Sequence, residues 1–241
     1  MKTRPQLNLL SVSTVESAIL DIIQTFETLH GIEVNIEFNT TPKIKEKNLL
    51  LENIDIVIST QELIEQLTQQ NILLKGSTKV LGKTEVVMAK GQNCLAPKIS
   101  SVSEFIDLMM RSNEIIYTTA SSGIYIDELF QILQIKNSIE SKCKRFSTGR
   151  NLLDYLCLCN KTTAPDHWII GLGANTEILQ YASAGIELLS PLPLDIRHLT
   201  TYSMAALIHS EHLVVAQQFI HYVHLPQSME LLRKFGLNQN T

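Results

Sequence analysis

Hydrophobic and polar positions along this chain switch repeatedly between a period of two and a period near 3.6. Leu7 to Val12 is a short apolar run, interrupted only by Asn8 and Ser11, and has the length of a buried strand. From Thr14 to His30 the apolar residues fall at Val15, Ala18, Ile19, Ile22, Ile23 and Phe26, which predicts a helix with one inward face. His30-Gly31 supplies its stop. Ile32 to Phe38 alternates strictly, with Ile32, Val34, Ile36 and Phe38 on one side and Glu33, Asn35 and Glu37 on the other, so it reads as a strand. Asn39-Thr40-Thr41-Pro42 is a polar loop whose proline suits the first turn of a helix. Ile54 to Ser59 is a further strand and Gln61 to Gln69 a further helix. This β-α-β-α-β order predicts a mostly parallel sheet covered by helices.

A second unit of the same kind follows. Strands are expected at Thr84 to Lys90, Ile115 to Thr118, Trp168 to Gly171, Ile186 to Leu189 and Leu199 to Ile208. Helices are expected at Ser103 to Arg111, Ser122 to Leu133, Asn151 to Cys159, Thr176 to Ala184, Leu213 to Tyr222 and Ser228 to Phe235. No internal repeat or low-complexity segment interrupts the series.

Small polar residues gather where predicted strands run into helices: Ser11-Val12-Ser13-Thr14, Asn39-Thr40-Thr41, Ser59-Thr60 and Thr118-Thr119-Ala120-Ser121-Ser122-Gly123. In open α/β sheets, ligands bind beyond the carboxyl ends of the strands. A helix start offers unpaired N–H groups and a partial positive charge, and so attracts anions. Hydroxyls add donors without adding charge. The competing account is ordinary capping, because Ser, Thr and Asn are the preferred N-caps. The coincidence of four such loops favours a ligand.

Composition narrows the chemistry. The 241 residues are 44% hydrophobic and 18% charged, enough apolar side chain for a real core, and the formal net charge is −4. Nucleic acid is therefore not expected as a partner, since it calls for concentrated Lys and Arg. The short basic clusters Lys43-Ile44-Lys45-Glu46-Lys47 and Lys142-Cys143-Lys144-Arg145 read as solvated faces. No apolar run approaches the roughly 20 residues of a membrane span, and Met1 to Pro5 is not followed by a signal-type apolar segment. The expectation is a cytoplasmic protein as the sequence stands, or a periplasmic one if a leader preceded it. Cys157 and Cys159 lie two apart in an apolar stretch and read as small core side chains. His209-x-x-His212 and His221-x-x-His224 have metal-compatible spacing, but no metal and no cofactor is expected. His167-Trp168 reads as core packing, and no nucleotide or hydrolase motif is present.

At the polar loops the chain resembles the type 2 periplasmic binding proteins, specifically their molybdate-binding branch, from about Leu7 to Gly236. Ile54 to Thr60 is similar to the family's Asp-hydrophobic-hydrophobic-Ile-Ser strand, and Leu73 to Lys83 to the segment entering its first hinge. Ser122-Gly123-Ile124-Tyr125 is similar to its Ala-Gly-hydrophobic-Tyr helix start, and Phe219-Ile220 with Leu232 to Leu237 to its closing helices. The order of the series carries the resemblance. It implies a two-lobed α/β fold, with residues 1–82 and 200–241 forming one lobe and 83–199 the other. Two hinge strands would lie near Val80 to Thr84 and Pro193 to Thr201. It also implies ligand contacts. Thr14 stands at a ligand serine with Ser13 beside it, and Thr41 with Thr40 at a second. Ser122 and Gly149 stand where backbone N–H groups are given, with Arg150 next in line. Ala174 stands where the family has a tyrosine.

Tyr117 to Tyr125, Leu189 to Pro193 and Thr200 to Ser203 are similar to a sub-branch that includes aconitate isomerase-like proteins. Two functions follow from the resemblance: a monomeric solute-binding protein that captures a small anion in the inter-lobe cleft, with an ABC transporter permease as partner, or an isomerase of an unsaturated tricarboxylate. In the second, Arg150 would clamp a carboxylate, and Thr118, Ser122 and Tyr125 are the candidate proton handlers. A signalling or host-interaction protein on the same scaffold is a third class. From the loops and the resemblance together the expected ligand residues are Ser13, Thr14, Thr40, Thr41, Thr60, Thr118, Ser121, Ser122, Gly123, Tyr125, Gly149 and Arg150.

Overall fold

A computed structural model describes residues 5–238. The chain opens with β1 (Gln6–Val12), α1 (Glu16–His30), β2 (Glu33–Asn39), α2 (Thr41–Glu46), β3 (Ile56–Thr60) and α3 (Gln61–Gln69). It continues through β4 (Lys79–Gly91), α4 (Val102–Arg111), β5 (Glu114–Thr118), α5 (Ser121–Ile132), α6 (Lys136–Ile139), β6 (Cys143–Phe146) and α7 (Gly149–Thr162). The remainder is β7 (Ile169–Ala174), α8 (Asn175–Ile178), β8 (Ile186–Pro191), β9 (Leu199–Ala206), α9 (Leu213–Val223) and α10 (Pro226–Lys234). Two compact units result: one runs to Thr84 and resumes at Thr200, and the other is Glu85–Leu199.

In the first unit β1 lies between β2 and β3, both parallel to it, and β9 adds antiparallel to β3. The register sets Val12 opposite Asn39 and Ser11 opposite Ile58, so the three parallel strands end level with one another. All five residues of β3 are buried, as a strand covered on both faces requires. The inward face of α1 is Ala18, Ile19, Ile22, Ile23 and Phe26, the stripe its periodicity predicts. Phe26 meets Phe219 and Tyr222 of α9 at ring distances of 5.0 and 5.2 Å.

In the second unit β7, β5 and β6 are parallel neighbours, β4 runs antiparallel beside β7, and β8 antiparallel beside β4. Helices cover both faces, so alternate residues of one strand enter different cores. Val86 and Met88 join Ile115, Tyr117, Ile170 and Leu172, whereas Val87 and Ala89 join Ile116, Ile169 and Leu156. No helix among the described residues is long and apolar enough to cross a membrane.

Two expectations from the sequence need correction. The Lys142–Arg145 cluster is not merely a solvated face: Cys143–Phe146 is an edge strand, and its charges are engaged. Lys142 Nζ donates to the Met110 and Ser112 carbonyls at 2.6 and 2.9 Å, and Lys144 pairs with Glu114 at 2.9 Å. Arg145 bridges Asp127 and Glu140, each at 2.9 Å. Charged side chains on a short edge strand also deter further strand pairing. The helix expected over Thr176–Ala184 is four residues of α8 followed by a 3-10 stretch, Leu179–Ala184, of which no residue is buried. Without an apolar face to bury, a longer helix has little to hold it.

Asp127 gives a prediction. Burial opposes its charge, but hydrogen bonds from Arg145, Tyr117 and Lys136 outweigh that and bring its carboxyl down to about 2. A folded-state value below the unfolded one of about 3.9 means the stabilisation is present above pH ~4 and is lost as pH falls toward 2. Asp127→Asn should cost about 1–2 kcal/mol at neutral pH, allowing for partial exposure. The deficit should shrink on acidification to pH 2, measured by urea melts across that range.

Candidate functional site

The level strand ends of the first unit put three helix starts along one edge. After Val12 a 3-10 turn, Ser13–Val15, leads into α1. Thr40 is the N-cap residue of α2, with Pro42 in its first turn, and Thr60 is the N-cap residue of α3. This edge therefore gathers Ser13, Thr14, Thr40, Thr41 and Thr60. Ser13 Oγ donates to the Asn39 carbonyl at 3.4 Å, tying the first loop to the second. Neither Thr40 nor Thr60 uses its hydroxyl to cap its helix, and α1 has no side-chain cap either. Capping as the account of these residues thus fails at the positions where it applies. Elsewhere it holds: Ser101 and Glu104 form a reciprocal capping box on α4.

The second unit repeats the arrangement. Thr118 ends β5, opposite Phe146 at the end of β6, while Leu172 of β7 pairs with Tyr117. Thr118 Oγ1 accepts from the Ala120 N–H at 3.2 Å and lies 3.5 Å from Ser122 Oγ. Ala120 stands at the N-cap of α5 and supplies no side-chain cap. Gly123 is indispensable by close approach: a Cβ built there would overlap the Thr118 carbonyl oxygen. The missing side chain lets the first turn of α5, with Ser121 and Ser122, seat directly on the end of β5. Thr148 caps α7 by accepting from the Asn151 N–H at 3.2 Å. Gly149 and Arg150 begin that helix, with Gly149 buried and Arg150 exposed.

Tyr125, on the first turns of α5, is already engaged within its own unit. Its hydroxyl donates to the Ile196 carbonyl at 2.8 Å, and its ring stacks on His198 at 3.9 Å. Burial pushes its ionisation up, which removes it further from acid–base work. Asn175, Thr176 and Glu177, just beyond β7, escaped sequence reasoning. Asn175 Oδ1 accepts from the Glu85 N–H at 3.3 Å. The Glu177 carboxylate lies where a Cβ on Gly149 would sit. The signal was available: Gly171 to Asn175 is another strand running into a polar helix start.

Two other features have less to offer an anion. A hollow of about 390 Å³ lies at the opposite, amino edge of β3, lined by Leu49–Asp55, Leu207 and His209–Glu211. Its acidic lining of Glu52, Asp55 and Glu211 repels negative ligands. His212 Nδ1 lies 3.4 Å from the buried Asp55, a partner far away in the chain. Asp55 also accepts from Ser210 Oγ at 2.6 Å and from the Asn8 N–H at 2.8 Å.

Known proteins resemble this chain in sequence and in fold. A family model described as bacterial extracellular solute-binding protein matches residues 7–238. Aconitate isomerase of a Pseudomonas species is 22% identical over 237 residues, covering 96% of this chain and 87% of that protein. The periplasmic molybdate-binding protein of Azotobacter vinelandii superposes with a TM-score of 0.75 at 12% identity, covering 98% of this chain and 100% of the other. The sulfate-binding protein SubI of Mycobacterium tuberculosis gives 0.74 at 14%, covering 98% and 88%. The fold is thus the α/β fold of the type 2 periplasmic binding proteins. By the match over residues 7–238, this chain belongs to the family of bacterial extracellular solute-binding proteins.

Proposed function

We propose that this protein captures a small anion, an oxyanion or small carboxylate, with the donors gathered at the carboxyl edges of its sheets, and hands it to an ABC transporter permease. The observation that carries this reading is the set of hydroxyls at helix starts that leave their helices uncapped, Thr40 and Thr60 above all. Ser13, Thr14 and Thr41 accompany them in the first unit, Ser121, Ser122 and the Gly149 N–H are the corresponding donors of the second, and neutral donors hold a desolvated anion without a fixed countercharge. The molybdate- and sulfate-binding neighbours support the choice of ligand class. The test is a thermal-shift and calorimetry panel of molybdate, sulfate, phosphate, citrate and the aconitates. A ligand at a hundredfold excess over its Kd adds about 2.7 kcal/mol of stability. Thr41→Ala and Ser122→Ala should each weaken binding about tenfold. No stabilisation by any of these anions at millimolar concentration would refute the proposal.

A second reading is favoured by the aconitate isomerase relative and by Arg150 at the start of α7. Here the bound tricarboxylate would be isomerised, with Arg150 as carboxylate clamp and Thr118 or Ser122 relaying the proton. Proton NMR of the protein mixed with one aconitate isomer decides it: turnover to the other isomer is expected under this reading and absent under the first. Arg150→Ala should weaken a tricarboxylate far more than molybdate, and equal small effects would remove Arg150 from the site.

A further inference from the structure

Strand β2 is a free edge of the first unit's sheet: β1 pairs along one side of it, and among the described residues no strand lies along the other. The pleat of the strand fixes which backbone groups face outward. Glu33 donates its N–H to the Pro5 carbonyl at 3.0 Å, and the Asn39 carbonyl accepts from Ser13 Oγ, so the odd-numbered positions turn toward β1. The N–H and C=O groups of Val34, Ile36 and Phe38 therefore turn away from it. Glu27 of α1 covers one of these, accepting from the Val34 N–H at 2.8 Å. Among the described residues nothing pairs with the outward groups of Ile36 and Phe38. Such an edge is a template for a further strand.

The sequence of β2, Glu33-Val34-Asn35-Ile36-Glu37-Phe38-Asn39, complements itself when a second copy runs antiparallel about a two-fold axis at Ile36. Ile36 then faces Ile36 of the second copy and the two exchange N–H···O=C bonds. Val34 faces Phe38, whose N–H reaches the Val34 carbonyl while Glu27 keeps the Val34 N–H. A β-branched residue opposite an aromatic one is a favourable cross-strand pair. On the other face Glu33, Asn35 and Glu37 are exposed. In this register Glu33 faces Asn39 and Asn35 faces Glu37, so no carboxylate stands opposite another. The neighbouring registers, centred on Asn35 or on Glu37, each set two glutamates directly opposite, which destabilises a strand pair. Glu37 is also balanced within its own chain by Lys47 at 3.1 Å. We propose that two copies of this chain associate through β2, forming one antiparallel sheet across a two-fold axis at Ile36. This goes beyond anion capture and does not rest on it. The same edge is used by both copies, so the contact closes at the dimer.

The experiment is sedimentation equilibrium of the full chain over a concentration series reaching about 100 μM. A contact made by one short strand belongs to the weak class of interfaces, so a dimer with a Kd on the order of 10 μM is expected. Ile36→Pro removes the N–H at the axis, at an outward edge position where a sheet tolerates proline, and should raise that Kd about tenfold or more. If its melting curve shows Ile36→Pro unfolded, Ile36→Lys takes its place, setting two ammonium groups opposite one another at the axis. The register has its own test. Asn35 and Glu37 of the second copy form a non-hydrogen-bonded pair with Cα atoms about 4.5 Å apart, within reach of a disulfide. An equimolar mixture of Asn35→Cys and Glu37→Cys chains, incubated with oxidised glutathione, should therefore yield a covalent dimer on a non-reducing gel. Either variant alone should link no more than the unmodified chain, whose free cysteines Cys94, Cys143, Cys157 and Cys159 set the background. A monomer at every concentration overturns the proposal and leaves the edge to some other strand. A dimer that the Ile36 change leaves intact, or single variants that link as readily as the mixture, overturns it as well.

Discussion

Gly123→Ala should destabilise the protein by about 3 kcal/mol or more and remove the stabilisation by anions expected under the proposed function, although the substitution adds a single methyl group. The added Cβ would occupy the position of the Thr118 carbonyl oxygen. A backbone atom at the end of a buried strand cannot rotate away as a side chain would, so the start of α5 must lift off β5. Overpacking normally costs 1–3 kcal/mol, and a collision with backbone belongs at or beyond the top of that range. Lifting the helix also moves Ser121 and Ser122 together with its unpaired N–H groups. The measurement is a urea melt paired with the thermal-shift panel. Ser122→Ala is the control: it should change stability by less than about 1 kcal/mol. A Gly123→Ala protein of unchanged stability would mean that α5 does not rest on the Thr118 carbonyl.

Phe26→Ala should cost about 3–5 kcal/mol, the range for removing a fully buried aromatic ring. Phe26 has no exposed surface. It meets Phe219 nearly edge-on, at 86°, and Tyr222 at 59°, so the ring joins α1 to α9. Such aromatic pairs contribute about 0.5–1.5 kcal/mol beyond their buried area. Since α9 lies far along the chain, the loss should appear both as a lower urea midpoint and as faster proteolysis within 213–234. Leu29→Ala, three residues further along α1 at 62% exposure, should stay within about 0.5 kcal/mol. Equal effects of the two changes would refute this packing of α9 against α1.

The elements that the sequence announces clearly share one property: their burial pattern is local. The stripe on α1 and the alternation of β2 need only neighbours a few positions away to be recognised. Strand β6 was missed because its sequence, Cys143-Lys144-Arg145-Phe146, carries charges whose partners Glu114, Asp127 and Glu140 come from other elements. The pairing of Asp55 with Ser210 and His212 was hidden for the same reason, since it spans more than 150 residues. At the candidate site, hydroxyl-rich loops after strands were legible because the strand-to-helix order marks them. The engagement of Tyr125 with Ile196 and the packing of Glu177 against Gly149 were not, because neither contact is local.

The sequence by itself determined the alternation of strands and helices, the carboxyl-edge loops rich in Ser and Thr, and the likeness to solute-binding proteins. These follow from side-chain periodicity and turn chemistry, which act over a few residues. The tertiary structure alone decided which hydroxyls are left out of capping, which tyrosine meets a distant backbone carbonyl, and which carboxylate stands beside a glycine. Those outcomes depend on strand register and helix seating, where a shift of one residue or one methyl group changes what each polar atom meets.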